Sequence, residues 1–281
     1  MIKRLGAALL CAGIALTGIS APAAAGPLME RLKAGQPIRI GFGNEPIYAY
    51  PGENGDPKGF ANAVAIAVLK DMGAKDIQAT VMDWSGLIPG LQASRYDVIT
   101  GGMYILGTRC KNVAFSDPIA KTSDALLVRA GNPKGLQNYK DVHNKGAVFY
   151  TNTGSSLIEV AKKEGLTDQE INLVPGPSEV MAAVKSGRAD AGGLTYFEAK
   201  HMAEASNGSL EVTNPANMPE GDQNWVGIGF RSEDADFLAK FNETLKKFIA
   251  SPRWVEAVKP YGLTNVNLPG STTTQWICAN R

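Results

Sequence analysis

The sequence predicts an α/β protein of two lobes, one built from both ends of the chain and the other inserted in its middle. Three observations carry this reading. β-rich runs alternate with helical patterns, the alternation breaks and restarts around Gly131, Pro133 and Gly135, and one last β-rich run follows the second series. Such alternation specifies parallel-rich sheets flanked by helices, because a parallel neighbour needs a crossover long enough to hold a helix. A chain that crosses twice between its lobes has a hinge there.

The first β-rich run is 38–42. In 59–72, Phe60, Ala63, Val64, Ala67 and Val68 fall at helical spacing and Gly73 is the stop. A strand is expected at 77–82, a short helix at 87–93, and a third strand at 96–100 running into Gly101-Gly102. The second series follows the apolar Leu126-Leu127-Val128 as strand 147–151, helix 155–164, strand 171–174, helix 178–186 and strand 189–194. A strand at 225–230, an amphipathic helix at 235–250 and a short helix with tail close the chain. Crossings are expected near 126–129 and 222–227. This assigns 26–127 plus 226–281 to the first lobe and 128–225 to the second.

Residues 1–25 stand apart. Lys3 and Arg4 precede an apolar stretch, 5–19, too short to span a bilayer, and Ala23-Ala24-Ala25 supplies small residues, so a signal peptide cleaved after Ala25 is expected. That leader carries two of the 28 basic side chains and none of the 27 acidic ones, leaving a mature charge near −1. There is no basic field for nucleic acid. The mature chain keeps Cys110 and Cys278, which in an exported protein read as a disulfide tying the tail to the body. With only His143 and His201 beside them, and no ligand spacing, no metal is expected. The chain has no Walker-type loop and no Gly-x-Ser-x-Gly elbow, and no cofactor is expected.

Ligands of open α/β sheets sit at the carboxyl ends of strands, which selects 44–48, Trp84, 101–104, 152–155 and 190–195. Arg109, beyond a turn containing Gly101, Gly102 and Gly107, can grip a carboxylate with two parallel N–H bonds. Backbone N–H groups at Gly102 and Tyr104, the Thr153 hydroxyl and the free N–H groups opening the helix at Ser155 complete an expected anion pocket, with Gly154 a further candidate ligand contact. Glu45 and Asp190 are candidate acids for a cation on the same ligand. Tyr48, Trp84 and Tyr104 follow strand ends and suit cation–π contact with it. The expected guest is a small zwitterion.

The run Ile38-Arg39-Ile40-Gly41-Phe42, the segment 84–98 with its Trp84-Ser85-Gly86-Leu87-Ile88-Pro89-Gly90 opening, Arg109 ahead of Phe115-Ser116-Asp117-Pro118, and Gly187-Arg188-Ala189-Asp190 resemble the substrate-binding proteins of polar amino-acid ABC importers. The resemblance spans nearly the whole mature chain and implies a two-lobe periplasmic binding fold of type II. Within that family, 101–110 with 44–50 is most similar to the ectoine and hydroxyectoine binders. The likeness implies that Arg109 holds the carboxylate and that Glu45 accepts from a ring amidinium. Tyr48, Trp84 and Tyr104 box the cation. Thr153 matches a second-lobe contact to the carboxylate, and Asp190 matches the acid that takes an α-ammonium in amino-acid binders. The pattern departs where those binders carry phenylalanines at the positions of Tyr48 and Tyr104 and a tyrosine at that of Trp84. Each added hydroxyl needs a partner when buried.

What the resemblance implies is a monomeric periplasmic receptor that closes on its ligand and docks on a membrane permease, with ATP hydrolysis on a separate subunit. Two alternatives stay open at this level. One is a binder of an ordinary polar amino acid; the other is an enzyme resembling the exported cyclohexadienyl dehydratases, with Glu45 as general acid.

Overall fold

The computed structural model describes residues 26–219 and 223–281, so the expected signal peptide lies outside the described residues. The chain opens with helix α1 (Pro27–Lys33), strand β1 (Ile38–Phe42) and the small hairpin β2 (Tyr50–Pro51) and β3 (Pro57–Lys58). Helix α2 (Phe60–Asp71), strand β4 (Ile77–Val81), helix α3 (Leu87–Gln92), strand β5 (Val98–Tyr104), helix α4 (Gly107–Cys110) and the short strands β6 (Ala114–Phe115) and β7 (Ala120–Thr122) follow. The chain then leaves for a second sheet. That sheet comprises β8 (Asp124–Arg129), β9 (Phe149–Asn152), β10 (Ile171–Val174), β11 (Ala191–Thr195) and β12 (Leu210–Val212), with α5 (Tyr139–Asn144), α6 (Leu157–Lys163), α7 (Pro177–Lys185) and α8 (Tyr196–Glu204) between them. Strand β13 (Asn224–Phe230) returns to the first sheet, ahead of α9 (Ala235–Ile249), α10 (Pro252–Val258) and α11 (Thr274–Asn280).

Both sheets are mixed. The order β4-β1-β5-β13-β6 has a parallel trio, β4, β1 and β5, completed by antiparallel β13. In the second sheet, β10-β9-β11-β8-β12, the trio β10, β9 and β11 is completed by antiparallel β8. The antiparallel members are the two crossing strands. A strand arriving from the other lobe enters its sheet from the cleft end, against the direction of the trio.

The sheet change falls between Thr122 and Asp124, and the return between Val212 and Asn224. The expected crossing at 126–129 is therefore the middle of β8. Its apolar run is buried because β8 lies between β11 and β12, not because the chain turns there. The expected lobe bounds likewise fall a few residues inside β8 and β13.

Each lobe has its own core. In the first, Phe237, Phe241, Leu245 and Phe248 form one buried stripe of α9, and the Trp254 indole N–H donates to the Ile119 carbonyl at 2.9 Å. The third strand starts later and ends later than its β-rich run predicts. Tyr96 stays outside β5 with its hydroxyl donated to the Leu87 carbonyl, while Asp97 takes the Arg39 guanidinium at 2.7 Å. Beyond the glycine pair the strand continues to Tyr104 with every residue buried. Gly102 sits at φ 77°, and a Cβ there would come within 2.7 Å of the Tyr48 ring, so the glycine lets that ring pack against the strand.

Candidate functional site

One cavity, about 400 Å³ of atom-free space, lies between the two sheets. The first lobe contributes Glu45, Tyr48, Trp84, Gly101, Gly102, Tyr104 and Arg109. Across from them, Asn152 ends β9 with Ser155 and Ser156 beyond it, and Leu194 and Thr195 end β11 with Glu198 beyond them. These are the carboxyl ends of the parallel strands, where the chain leaves the sheet and side chains are free to converge.

Glu45 and Tyr48 are presented by a tight turn after β1. The Glu45 amide donates to the Ala49 carbonyl at 2.8 Å and the Ala49 amide returns a bond at 2.9 Å, with Ile47 between them at φ 72°. A β-branched residue in the left-handed region is strained, and here the strain accompanies a turn that aims an acid and a ring into one cavity.

Arg109 is carried by α4 and is 9% exposed. Its Nη1 donates to the Tyr104 carbonyl at 3.0 Å and its Nη2 to the Gly154 carbonyl at 3.2 Å. Among the described residues no carboxylate lies at ion-pair distance from it, and burial lowers its pKa to about 10, which leaves it cationic at neutral pH. The disulfide is present: Cys110 is bonded to Cys278, and the Gly107 amide donates to the Arg281 carbonyl at 3.0 Å. The C-terminal helix is thus fastened to the short helix that carries Arg109.

The rings do not form a simple box. The Trp84 ring lies under the Arg109 guanidinium, 5.6 Å from its carbon, and its indole N–H donates to the Gly154 carbonyl at 3.2 Å. Tyr48 and Tyr104 meet edge to face at 6.4 Å. Their hydroxyls are partnered behind the cavity. Tyr48 donates to Thr122 at 2.9 Å, Thr122 donates to Tyr104 at 2.9 Å, and Tyr104 donates to Asp124 at 3.1 Å. Asn224 donates to the other oxygen of Asp124 at 3.2 Å. Thr122 and Asp124 flank one crossing and Asn224 opens the return strand, so the tyrosine hydroxyls tie the cavity wall to both crossings.

Two expected contacts lie elsewhere. Asp190 is at the start of β11, ion-paired with Lys134 at 2.7 Å and Arg129 at 3.6 Å and accepting from the Val148 amide. It is five residues from Thr195, about 16 Å along an extended strand, and so belongs to the end of the sheet remote from the cavity. Thr153 is exposed, with its hydroxyl and amide both donated to the Val174 carbonyl. The turn through Gly154, at φ 78°, swings Asn152 and Ser155 inward in its place, and Gly154, also expected to touch the ligand, does not line the cavity, its carbonyl being taken by Arg109 and Trp84.

Glu198 is the acid that strand-end reasoning missed; Ser156 and Leu157 also line the cavity outside the selected segments. The acid sits one turn into α8, where Thr195 and Glu198 form a capping box, and the signal for it was Thr195-Tyr196-Phe197-Glu198. Glu45 and Glu198 face each other, carboxyl to carboxyl. Burial, then the charge and contact of Glu198, then the more distant Glu179, hold Glu45 well above the ordinary carboxylate range. Burial also raises Glu198, against the stabilising contacts from Thr195 and Glu45.

An acid whose pKa rises on folding costs stability as pH climbs through that raised value, because the folded state binds the extra proton. Glu45→Gln should therefore melt higher than the parent in the ligand-free state, by a margin that grows from pH 5 to pH 8. Thermal melts of both proteins across that range test it; a constant difference contradicts the buried acid.

A cavity between two mixed α/β sheets joined by two crossings, lined by a buried arginine and two buried acids, defines a receptor that encloses a small polar solute. Residues 38–264 match the bacterial extracellular solute-binding proteins, family 3, and the chain belongs to that family. It is 31% identical over 270 residues to the probable amino-acid ABC transporter periplasmic-binding protein y4tE of Sinorhizobium fredii (strain NBRC 101917 / NGR234), covering 93% of this chain and 89% of that one. The crystal structure of EhuB in complex with hydroxyectoine superimposes with a TM-score of 0.82 at 29% identity, covering 91% of this chain and 98% of that one. An ancestral arginine-binding protein bound to glutamine gives a TM-score of 0.71 at 26% identity, with 80% and 97% covered. The chain is accordingly a type II periplasmic binding protein that serves an ABC importer of polar, amino-acid-like solutes. It is a binding protein and not an enzyme, which removes the dehydratase alternative.

Proposed function

We propose that this protein captures a compact zwitterion of the ectoine and hydroxyectoine class and delivers it, as a monomer in the periplasm, to a permease whose ATPase is a separate subunit. The observation that carries the reading is a buried arginine and a buried acid that line one cavity. Arg109 is buried with no protein carboxylate, and Glu45 is buried with no protein cation, among the described residues. A buried cation is stable only when paired, and an acid kept protonated by burial ionises beside a cation, so one zwitterion satisfies both. Support also comes from the hydroxyectoine complex of EhuB, the structural neighbour described above. Closure about the crossing at Ser123 and the return into β13 brings the second lobe over both poles and leaves a drier, lower-dielectric site, where each contact strengthens.

A second reading, an ordinary polar amino acid, is favoured by the amino-acid binders among the relatives. Mass spectrometry of solute carried through purification, with thermal melts against ectoine, hydroxyectoine, L-arginine and L-glutamine, separates the two. Saturating ectoine, at about 1,000 times its Kd, should add about 4 kcal/mol to the native state. A large shift with an amino acid and none with ectoine or hydroxyectoine overturns the ectoine assignment.

Trp84→Ala removes the surface on which Arg109 lies and the indole bond to Gly154 that joins the lobes. Affinity should fall by about 2 kcal/mol, roughly thirtyfold. Calorimetric titration measures it, and unchanged affinity counts against Trp84 as part of the site.

A further inference from the structure

The cation pole of the cavity holds two acids. Glu45 comes from the turn after β1 in the first lobe and Glu198 from the first turn of α8 in the second, and they are 6% and 5% exposed. Neither has an ion-pair partner among the described residues. Glu198 is held in place independently of any ligand. Its Oε2 accepts from the Thr195 hydroxyl at 2.7 Å and the Thr195 amide at 3.2 Å, which fixes the carboxyl and leaves Oε1 unused by the cap.

We propose that Glu198 is a second ligand-holding carboxylate, forming with Glu45 a two-acid seat that takes a cation bearing several N–H donors, such as an amidinium, guanidinium or primary ammonium, and rejects a quaternary ammonium. The inference rests on the zwitterion reading of the cavity and deepens it by choosing among cations. A cation with N–H groups in divergent directions donates to both carboxylates at once. A quaternary ammonium presents only methyl groups and leaves the acceptors of two buried acids unsatisfied, which is the expensive outcome. Arg109 cannot serve the pair, since it lies against Trp84 and the Tyr104 and Gly154 carbonyls.

The arms of the seat belong to different lobes. Donation to both is therefore complete only when the lobes are together, and an N–H cation gains in the closed form what it lacks in an open one. That differential affinity is what a ligand needs to drive closure. A solute with an equally good carboxylate but no N–H donor binds the Arg109 pole without recruiting the second lobe's acid.

Calorimetric titration of the wild type, with ectoine, L-arginine, L-glutamine and glycine betaine, followed by Glu198→Gln with the tightest N–H ligand, tests the seat. Glutamine preserves the shape and can still cap the helix, as a melt and circular dichroism of the ligand-free variant check. The expected result is a loss of tenfold or more in the variant, with glycine betaine at least a hundredfold weaker than the best N–H ligand in the wild type. A smaller loss in the variant overturns the seat while leaving the zwitterion reading intact. Glycine betaine bound within a hundredfold of that ligand overturns the seat too, and decides the matter alone if the variant does not fold. If an amino acid binds in place of ectoine and Glu198→Gln weakens it tenfold, the ectoine assignment falls and the seat stands. A panel in which nothing binds overturns both.

Discussion

Arg109→Gln should fold normally and lose solute affinity by a hundredfold or more. The guanidinium is buried, held by two backbone carbonyls and a tryptophan face, and has no protein carboxylate to neutralise it. Closing the lobes on a solute carboxylate without this cation leaves an unpaired buried charge, a penalty of about 3 to 5 kcal/mol. The ligand-free protein loses nothing comparable, because there the arginine is itself an unpaired buried cation, so its melting temperature should hold steady or rise. Calorimetry on the variant, with a melt of the ligand-free protein as control, measures both. Wild-type affinity in a folded Arg109→Gln protein would remove the anion pole and with it the zwitterion.

The second large effect is on stability. Cys110→Ser with Cys278→Ser opens a bond between residues 168 apart in sequence. Chain-entropy arguments put such a crosslink at about 4 to 5 kcal/mol as an upper figure, and measured values are commonly 2 to 4. A loss of about 3 kcal/mol corresponds to a fall of roughly 6 to 12 °C in melting temperature for a chain of this size. The effect should not stop at stability. Gly107 has the C-terminal residues directly against it, where a Cβ would lie 2.7 Å from the Cys278 carbonyl, and α4 carries Arg109 two residues further on. Freeing the tail therefore also loosens the cation that grips the solute. Melting curves of the double variant, and of the parent with and without reductant, give the size of the effect; a shift under 2 °C would mean that the tail packs as well without its crosslink.

Glu198 shows what kind of residue escapes a reading by strand ends. The position Thr195 was reached, because it terminates β11, but the acid stands a helical turn beyond it, beside the buried Ala199 and Met202, whose spacing says nothing of an acid. Its signature was local, a threonine followed three residues later by a glutamate. Asp190 shows the reverse. It lies in a familiar stretch and near a strand, yet at the amino end, where the carboxylate is consumed by Lys134 and Arg129. A strand read as 189–194 already puts Asp190 at its amino end, and the five residues from there to Thr195 separate the far edge of the sheet from the cavity.

The tyrosine hydroxyls make a similar point about chemistry. A tyrosine in place of a phenylalanine reads as a change in what the ligand meets. Here the hydroxyls of Tyr48 and Tyr104 point the other way, toward Thr122, Asp124 and Asn224 at the crossings, and the cavity keeps the ring surfaces.

By itself the sequence determined the alternating α/β elements, the insertion of one lobe in the other, the cysteine pairing and the gathering of Arg109, Glu45 and the rings at strand ends, since these follow from local periodicity and from the direction in which parallel strands run. Only the tertiary structure decided which acids meet, which ring lies under the guanidinium and where the hydroxyls point. Those are contacts between segments far apart in the chain, and no local preference of either segment encodes the geometry at which the two lobes come together.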